Sequence, residues 1–172
     1  MNEEVKSLLM SIKKMNQEIA LIGAAPEEGL IPQTQQVIPH SLVRGTRGYV
    51  EKIVYQINGS YQNGWYDACA VMVRRLLETL IIEVYEKNGI SDKIKDKNGD
   101  FFYLGDLIAN FLSETKWNVG RNTKKVLPRL KDIGDWSAHN RRFVAHKQDI
   151  DKLLPDLRVA IQELIFLAEL KK

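Results

Sequence analysis

Between Trp65 and Glu86 the chain sets apolar residues on nearly every side of a helical wheel: Ala68, Ala70, Val71, Met72, Val73, Leu76, Leu77, Leu80, Ile81, Ile82 and Val84. A surface helix needs one apolar stripe, so a helix apolar all round belongs at a centre, with other elements covering each of its faces. No segment shows sustained two-residue alternation and no internal repeat is present. The predicted fold class is therefore all-α, a helical bundle with an additional N-terminal helix. Charges inside the central segment need partners, because an unpaired buried charge is costly. Arg74 and Glu78 stand at i and i+4 and can pair on one face, and from there Arg74 could also brace a nearby loop.

The remaining segments supply the cover. Val5, Leu8, Ile12, Met15, Ile19 and Ile22 recur at alternating spacings of three and four, which lays one narrow seam along a helix over residues 1–22. The seam is too short for three heptads, which favours packing onto its own domain over a coiled coil between chains. Residues 23–40, with Pro26, Gly29, Pro32 and Pro39, read as an extended linker, and residues 41–172 as the helical domain. Inside that domain a helix is expected from Ser41 to about Ser60 and another from Tyr103 to about Ser113. A third should start near Asn122 or Thr123, kink or restart at Pro128 and end around Gly134. The last should run from Asp149 to Leu170, with Pro155 where a first turn tolerates it.

Several classes of chemistry lack the residues they need. Cys69 is the only cysteine, so an internal disulfide or a cysteine-rich zinc site has no ligands to draw on, and the thiol reads as a small buried apolar group. Asp96-Lys97-Asn98-Gly99-Asp100 suggests calcium, but counting from Asp96 the glycine falls at position 4 instead of 6, and position 12 is Leu107 instead of glutamate. No metal and no cofactor are expected. No run of about 18 or more apolar residues occurs, so the chain is expected to be cytoplasmic with no membrane partner. The Asn58-Gly59-Ser60 sequon is then a chance match.

Residues able to do chemistry concentrate from Gly134 to His146, on what reads as the connection between the last two helices. Asp135, His139, Arg141 and His146 are the candidates for catalysis. Imidazole takes or gives a proton near neutral pH, and a guanidinium holds a phosphate through two hydrogen bonds, a combination suited to phosphodiester chemistry without a metal. From Lys116 to Lys147 the chain carries nine basic residues against two acids, in a molecule of net charge +3. Such a run is usually a solvated helix face. Its overlap with the candidate site raises the alternative, a polyanion patch in which Lys124, Lys125, Arg129 and Arg142 touch nucleic acid. Trp136 and Phe143 read as core plugs in preference to base-stacking platforms.

Arg141-Arg142-Phe143-Val144-Ala145-His146, just before the final helix, resembles the Arg-x(4 to 6)-His motif of the HEPN superfamily of small helical domains. A closer resemblance is to one branch, a domain of unknown function found alone and fused to restriction-system proteins. It rests on Gly64-Trp65-Tyr66-Asp67-Ala68 leading into Arg74-Arg75-Leu76-Leu77-Glu78, then on Ile133-Gly134-Asp135 with Ala138-His139 and the closing helix. The likeness spans roughly Pro39 to Leu170.

Two registers are open. If His139 is the family histidine, Gly134 holds the place of the superfamily arginine, and the ring would tie the loop to Arg74 or Glu78. In the other register Arg141 and His146 are both present, with Arg142 in place of the small polar residue usual after the arginine. The resemblance implies a homodimer that binds or cleaves RNA, as a metal-independent endoribonuclease, in a defence or toxin-like setting. Arg141 would then hold the scissile phosphate, His146 would handle the 2′-hydroxyl or leaving-group proton, and His139 or Asp135 would orient them. The alternative is a non-catalytic module that binds a partner protein or a nucleotide on the same scaffold. The arginine missing from the first register and the N-terminal seam both favour it.

Overall fold

The helix that is apolar all round runs from Tyr66 to Lys87 and lies at the centre, with Cys69, Ala70, Val73, Leu76, Leu77, Leu80, Ile81 and Val84 shut off from solvent. The structure is a computed structural model that describes residues 5–12 and 35–171. In chain order its domain helices are α1 (His40–Val43), α2 (Gly48–Gln62), α3 (Tyr66–Lys87), α4 (Leu104–Ser113), α5 (Arg121–His139), α6 (Lys147–Asp151) and α7 (Leu154–Leu167). A single 3-10 turn, Ser91–Ile94, stands between α3 and α4. Helices α2, α4, α5 and α7 all pack against α3 and cover its faces. The strand-like pairing among the described residues is one isolated bridge between Lys95 and Phe101, so the fold is an all-α bundle. No helix among these residues is long and apolar enough to cross a membrane.

Where helices break, local chemistry decides. The sequence predicts one helix from Ser41 to about Ser60, and the structure divides it. α1 stops at Val43, and Gly45 takes φ +81°, a left-handed conformation that a side chain would strain. The Gly45 N–H donates to the Glu51 carboxylate at 2.8 Å, so the break is tied to the first turn of α2. The final helix is divided too, into α6 and α7, with Pro155 in the first turn of α7 where its missing N–H has no cost.

Of the N-terminal seam, residues 5–12 are helical and Val5, Leu8 and Ile12 are exposed, whereas Met15, Ile19 and Ile22 lie outside the described residues. So does most of the expected linker. Its last residues are packed into the domain: Val37 and Ile38 are fully buried. Asn58, itself buried, accepts from the Ile38 N–H at 3.0 Å and donates to the Ile38 carbonyl at 2.8 Å. A buried backbone segment must find partners for both of its polar groups, and this one asparagine supplies them. Asp96 is likewise accounted for locally, because its Oδ1 accepts from the backbone N–H groups of Asn98 at 2.8 Å and Asp100 at 3.0 Å, as a turn-forming aspartate does. Cys69 is fully buried, and that burial pushes its thiol pKa up to about 12, far from nucleophilic use.

Candidate functional site

The segment expected to be a connection is half helix. α5 continues through Pro128 and Gly134 to His139, so Asp135, Trp136 and His139 stand on its last turns and only residues 140–146 link it to α6. Gly134 does not end the helix, because it is the point where α5 crosses α3. A Cβ at this position would lie 2.7 Å from the Cβ of Arg74 and 3.1 Å from the carbonyl oxygen of Ala70.

That close crossing lets short side chains meet. Arg74 Nε donates to Asp135 Oδ1 at 2.6 Å, and Lys131 Nζ donates to Asp135 Oδ2 at 2.7 Å. The predicted pair with Glu78 is present as a looser 3.7 Å contact, so the principal partner of Arg74 is the acid of the neighbouring helix. Nearer the start of α3, Asp67 Oδ1 accepts from the Ala145 N–H at 3.0 Å and pins the end of the connection. Positions 67, 70 and 74 are spaced by three and four and so share one face of α3. Asp67 with Ala145, Ala70 with Gly134, and Arg74 with Asp135 form one continuous seam. The two sequence motifs are the two sides of that seam. Asp67, quoted in the family motif, and Lys131, counted in the basic run, were given no role by the sequence; the i, i+4 spacing of Lys131 to Asp135 was the available signal for the second.

Electrostatics follow the contacts. Partial burial works against the charge of Asp135, but hydrogen bonds from Lys131 and Arg74 outweigh it and hold the carboxyl below its ordinary value. Lys131 is raised, mainly by the same hydrogen bond to Asp135. A carboxyl whose folded pKa lies below its unfolded value stabilises the fold above the unfolded pKa and loses that contribution as pH falls through the folded one. Asp135→Asn is therefore expected to melt lower than wild type at neutral pH and to converge with it on acidification. Parallel melting-temperature curves across acid pH would show that the Asp135 charge contributes nothing to folding.

Beside the network is an open pocket of about 540 Å³. It is lined by half-buried Arg74, Lys131 and Asp135, by His139 and Asn140, and by Tyr103 and Trp136, which are 85% and 51% exposed. Trp136 is not the core plug that its hydrophobicity suggests. α5 turns Val126, Leu127, Leu130, Ile133 and Gly134 inward, and position 136 falls on the opposite side of the helix from Gly134. Its ring meets that of Phe143 at 5.6 Å, and Phe143 is the one of the two that packs against the core. Tyr103, read from sequence only as a helix start, was missed as a site residue.

The structure gathers part of the predicted catalytic set. Asp135 and His139 share the pocket. Arg141 and His146 are exposed on the connection and line neither this pocket nor its smaller neighbour of about 220 Å³ beneath Trp136 and Phe143. The His146 N–H donates to Asp149 Oδ2 at 2.9 Å, closing the first turn of α6, and the Arg142 N–H donates to Asn140 Oδ1 at 3.0 Å. The tie to Arg74 that one register assigns to His139 is made by Asp135. Of the predicted nucleic-acid contacts, Lys124, Lys125 and Arg129 are exposed along α5 together with Arg121, and no ion pair engages any of them among the described residues. Lys131 and Lys147, by contrast, are paired with Asp135 and Asp151. No cluster of histidine, cysteine, aspartate and glutamate among the described residues is placed to hold a metal ion.

These features define a class: an all-helical domain in which a central helix is locked to a long cationic helix by a glycine crossing and an arginine–aspartate bridge. The chain belongs to the family described as Domain of unknown function (DUF4145), which it matches over residues 56–172, a span that includes the whole seam from Asp67 to Ala145. Among curated proteins and among solved structures, nothing matches.

Proposed function

We propose that this is a cytoplasmic, HEPN-like domain that binds RNA in a defence or toxin-like setting. The observation that carries the reading is the outer face of α5, where Arg121, Lys124, Lys125 and Arg129 are exposed and in no ion pair among the described residues, while Asp132 and Asp135, the two acids of that helix, both contact Lys131. Arg121, Lys125 and Arg129 are successive i, i+4 neighbours, and like charges at that spacing destabilise a helix by about 0.2–0.5 kcal/mol per pair. A phosphate backbone laid along the stripe converts that repulsion into attraction.

Cleavage is a second reading, favoured by the exposure of Arg141 and His146 on one short connection outside the ion-pair network. In a homodimer these residues from two chains would face one another across a cleft. Arg141 would hold the scissile phosphate and His146 would take the 2′-hydroxyl proton as the 2′-oxygen attacks phosphorus and the 5′-oxygen departs. Asp135, held by two cations, is better suited to support than to proton transfer.

Purified protein and single-stranded RNA in EDTA test both readings. Binding at low salt is expected, with any cleavage abolished by Arg141→Ala or His146→Ala while binding persists, and light scattering is expected to report a dimer. Undetectable binding at low salt would refute the RNA reading and leave the module for a partner protein or nucleotide. Binding without cleavage, with and without metal, would leave an RNA-binding domain.

A further inference from the structure

Tyr103 and Trp136 come from different helices, the start of α4 and the end of α5, yet both stand exposed on the same pocket. Neither ring is part of the buried core. Tyr103 begins α4 through its backbone, its carbonyl accepting from the Leu107 N–H at 3.0 Å, a task that any residue performs. Trp136 lies on the solvent side of α5. Between the two elements Gly105 faces the end of the Lys131 side chain, where a Cβ would lie 3.1 Å from Lys131 Cε.

The pocket does not suit a phosphate. Its inner cations, Arg74 and Lys131, are both bound to Asp135, and the carboxylate of Asp106, also on the pocket wall, brings these four charges to zero. What it offers is two aromatic faces, a paired and nearly neutral polar wall, and the Asn140 amide at its edge. That chemistry fits a flat, uncharged, hydrogen-bonding ring. The unpaired charge lies just outside. Arg121, Lys125, Arg129 and Trp136 follow one another at spacings of four, four and seven and so share one face of α5, on which half-exposed Asp132, 3.5 Å from Lys131, stands between Arg129 and the indole. From Arg129 to Trp136 is roughly 10 Å along the helix, at about 1.5 Å per residue.

We propose that this pocket receives one unstacked nucleobase of a single-stranded RNA, stacked on Trp136 and Tyr103, while the backbone leading to it lies along Arg121, Lys125 and Arg129. The assignment rests on the RNA-binding reading and adds to it the part of the ligand that the pocket recognises.

The test measures binding of a short single-stranded RNA by fluorescence anisotropy to wild type, Trp136→Leu, Tyr103→Leu and the double variant, each over a range of salt. Both side chains are exposed, so the variants should fold; circular dichroism and thermal melting check that they do. Each single replacement is expected to weaken binding about tenfold, since one base–aromatic stack is lost. The slope of log affinity against log salt should stay unchanged, because no phosphate contact is removed. An oligonucleotide made of abasic sugar–phosphate should bind wild type and double variant alike. Equal binding of base-containing RNA by all four proteins would overturn the nucleobase pocket and leave RNA binding intact. No RNA binding by wild type would overturn both. A dimer that becomes monomeric in Trp136→Leu would assign the aromatics to a protein interface and overturn the pocket as well.

Discussion

Replacing Lys124, Lys125 and Arg129 together by alanine is expected to reduce the salt dependence of RNA binding to about a quarter of its wild-type slope. Each phosphate neutralised on a single strand contributes roughly −0.7 to the slope of log affinity against log salt, so four contacts through Arg121, Lys124, Lys125 and Arg129 give about −3. A tenfold rise in salt then weakens wild type by about 600-fold and the triple variant by about fivefold. Nothing in the fold opposes the change. All three side chains are exposed, and removing Lys125 and Arg129 relieves like-charge repulsion along the helix. Anisotropy titrations across salt measure both slopes. Two parallel lines would mean that the stripe on α5 is an ordinary solvated face and that any RNA affinity resides elsewhere.

The central helix was legible in the sequence because its signal needs no tertiary information. Residues such as Ala70, Val71, Met72 and Val73, which follow one another round the whole helix, have to be covered whatever does the covering. Glycines were less legible. Gly45 and Gly134 look alike in a sequence, yet the first ends a helix through a positive φ and the second lets two helices touch. Reading Gly134 as a stop shortened α5 and turned Asp135, Trp136 and His139 into loop residues. Had the helix been carried past it, the phase of Val126, Leu130 and Ile133 would have set Trp136 off the buried stripe and exposed it to view. The i, i+4 rule found the partner of Arg74 that is close in sequence, Glu78, but Asp135 is 61 residues away and only the crossing brings it to 2.6 Å. The cationic run was plain from composition. Which of its members were free was not, because Lys131 and Lys147 are removed from it by acids on their own helices.

Gly134→Ala is expected to destabilise the protein by about 1–3 kcal/mol, the usual cost of forcing extra volume into a close-packed contact. Gly134→Val should cost more, since its branched side chain meets the same neighbours. Helix propensity alone predicts the opposite sign, as alanine is favoured over glycine by about 1 kcal/mol in a helix interior. The packing effect wins because of what the new Cβ would meet. At 2.7 Å from Arg74 Cβ and 3.1 Å from the Ala70 carbonyl, it faces an atom fixed to the backbone and the backbone itself, neither of which can swing away. The helices must part, and the Arg74–Asp135 bridge at the adjoining position must lengthen with them. Gly59 supplies the control. It lies inside α2, and a Cβ there meets nothing within 4 Å, so Gly59→Ala should be neutral or stabilising. Urea unfolding of the three variants beside wild type separates the two effects, with an unchanged m-value showing that the change lies in stability and not in the compactness of either state. If Gly134→Ala were as stable as Gly59→Ala, the crossing would be looser than described, and the seam from Asp67 to Ala145 would lose its role in holding the pocket beside α5.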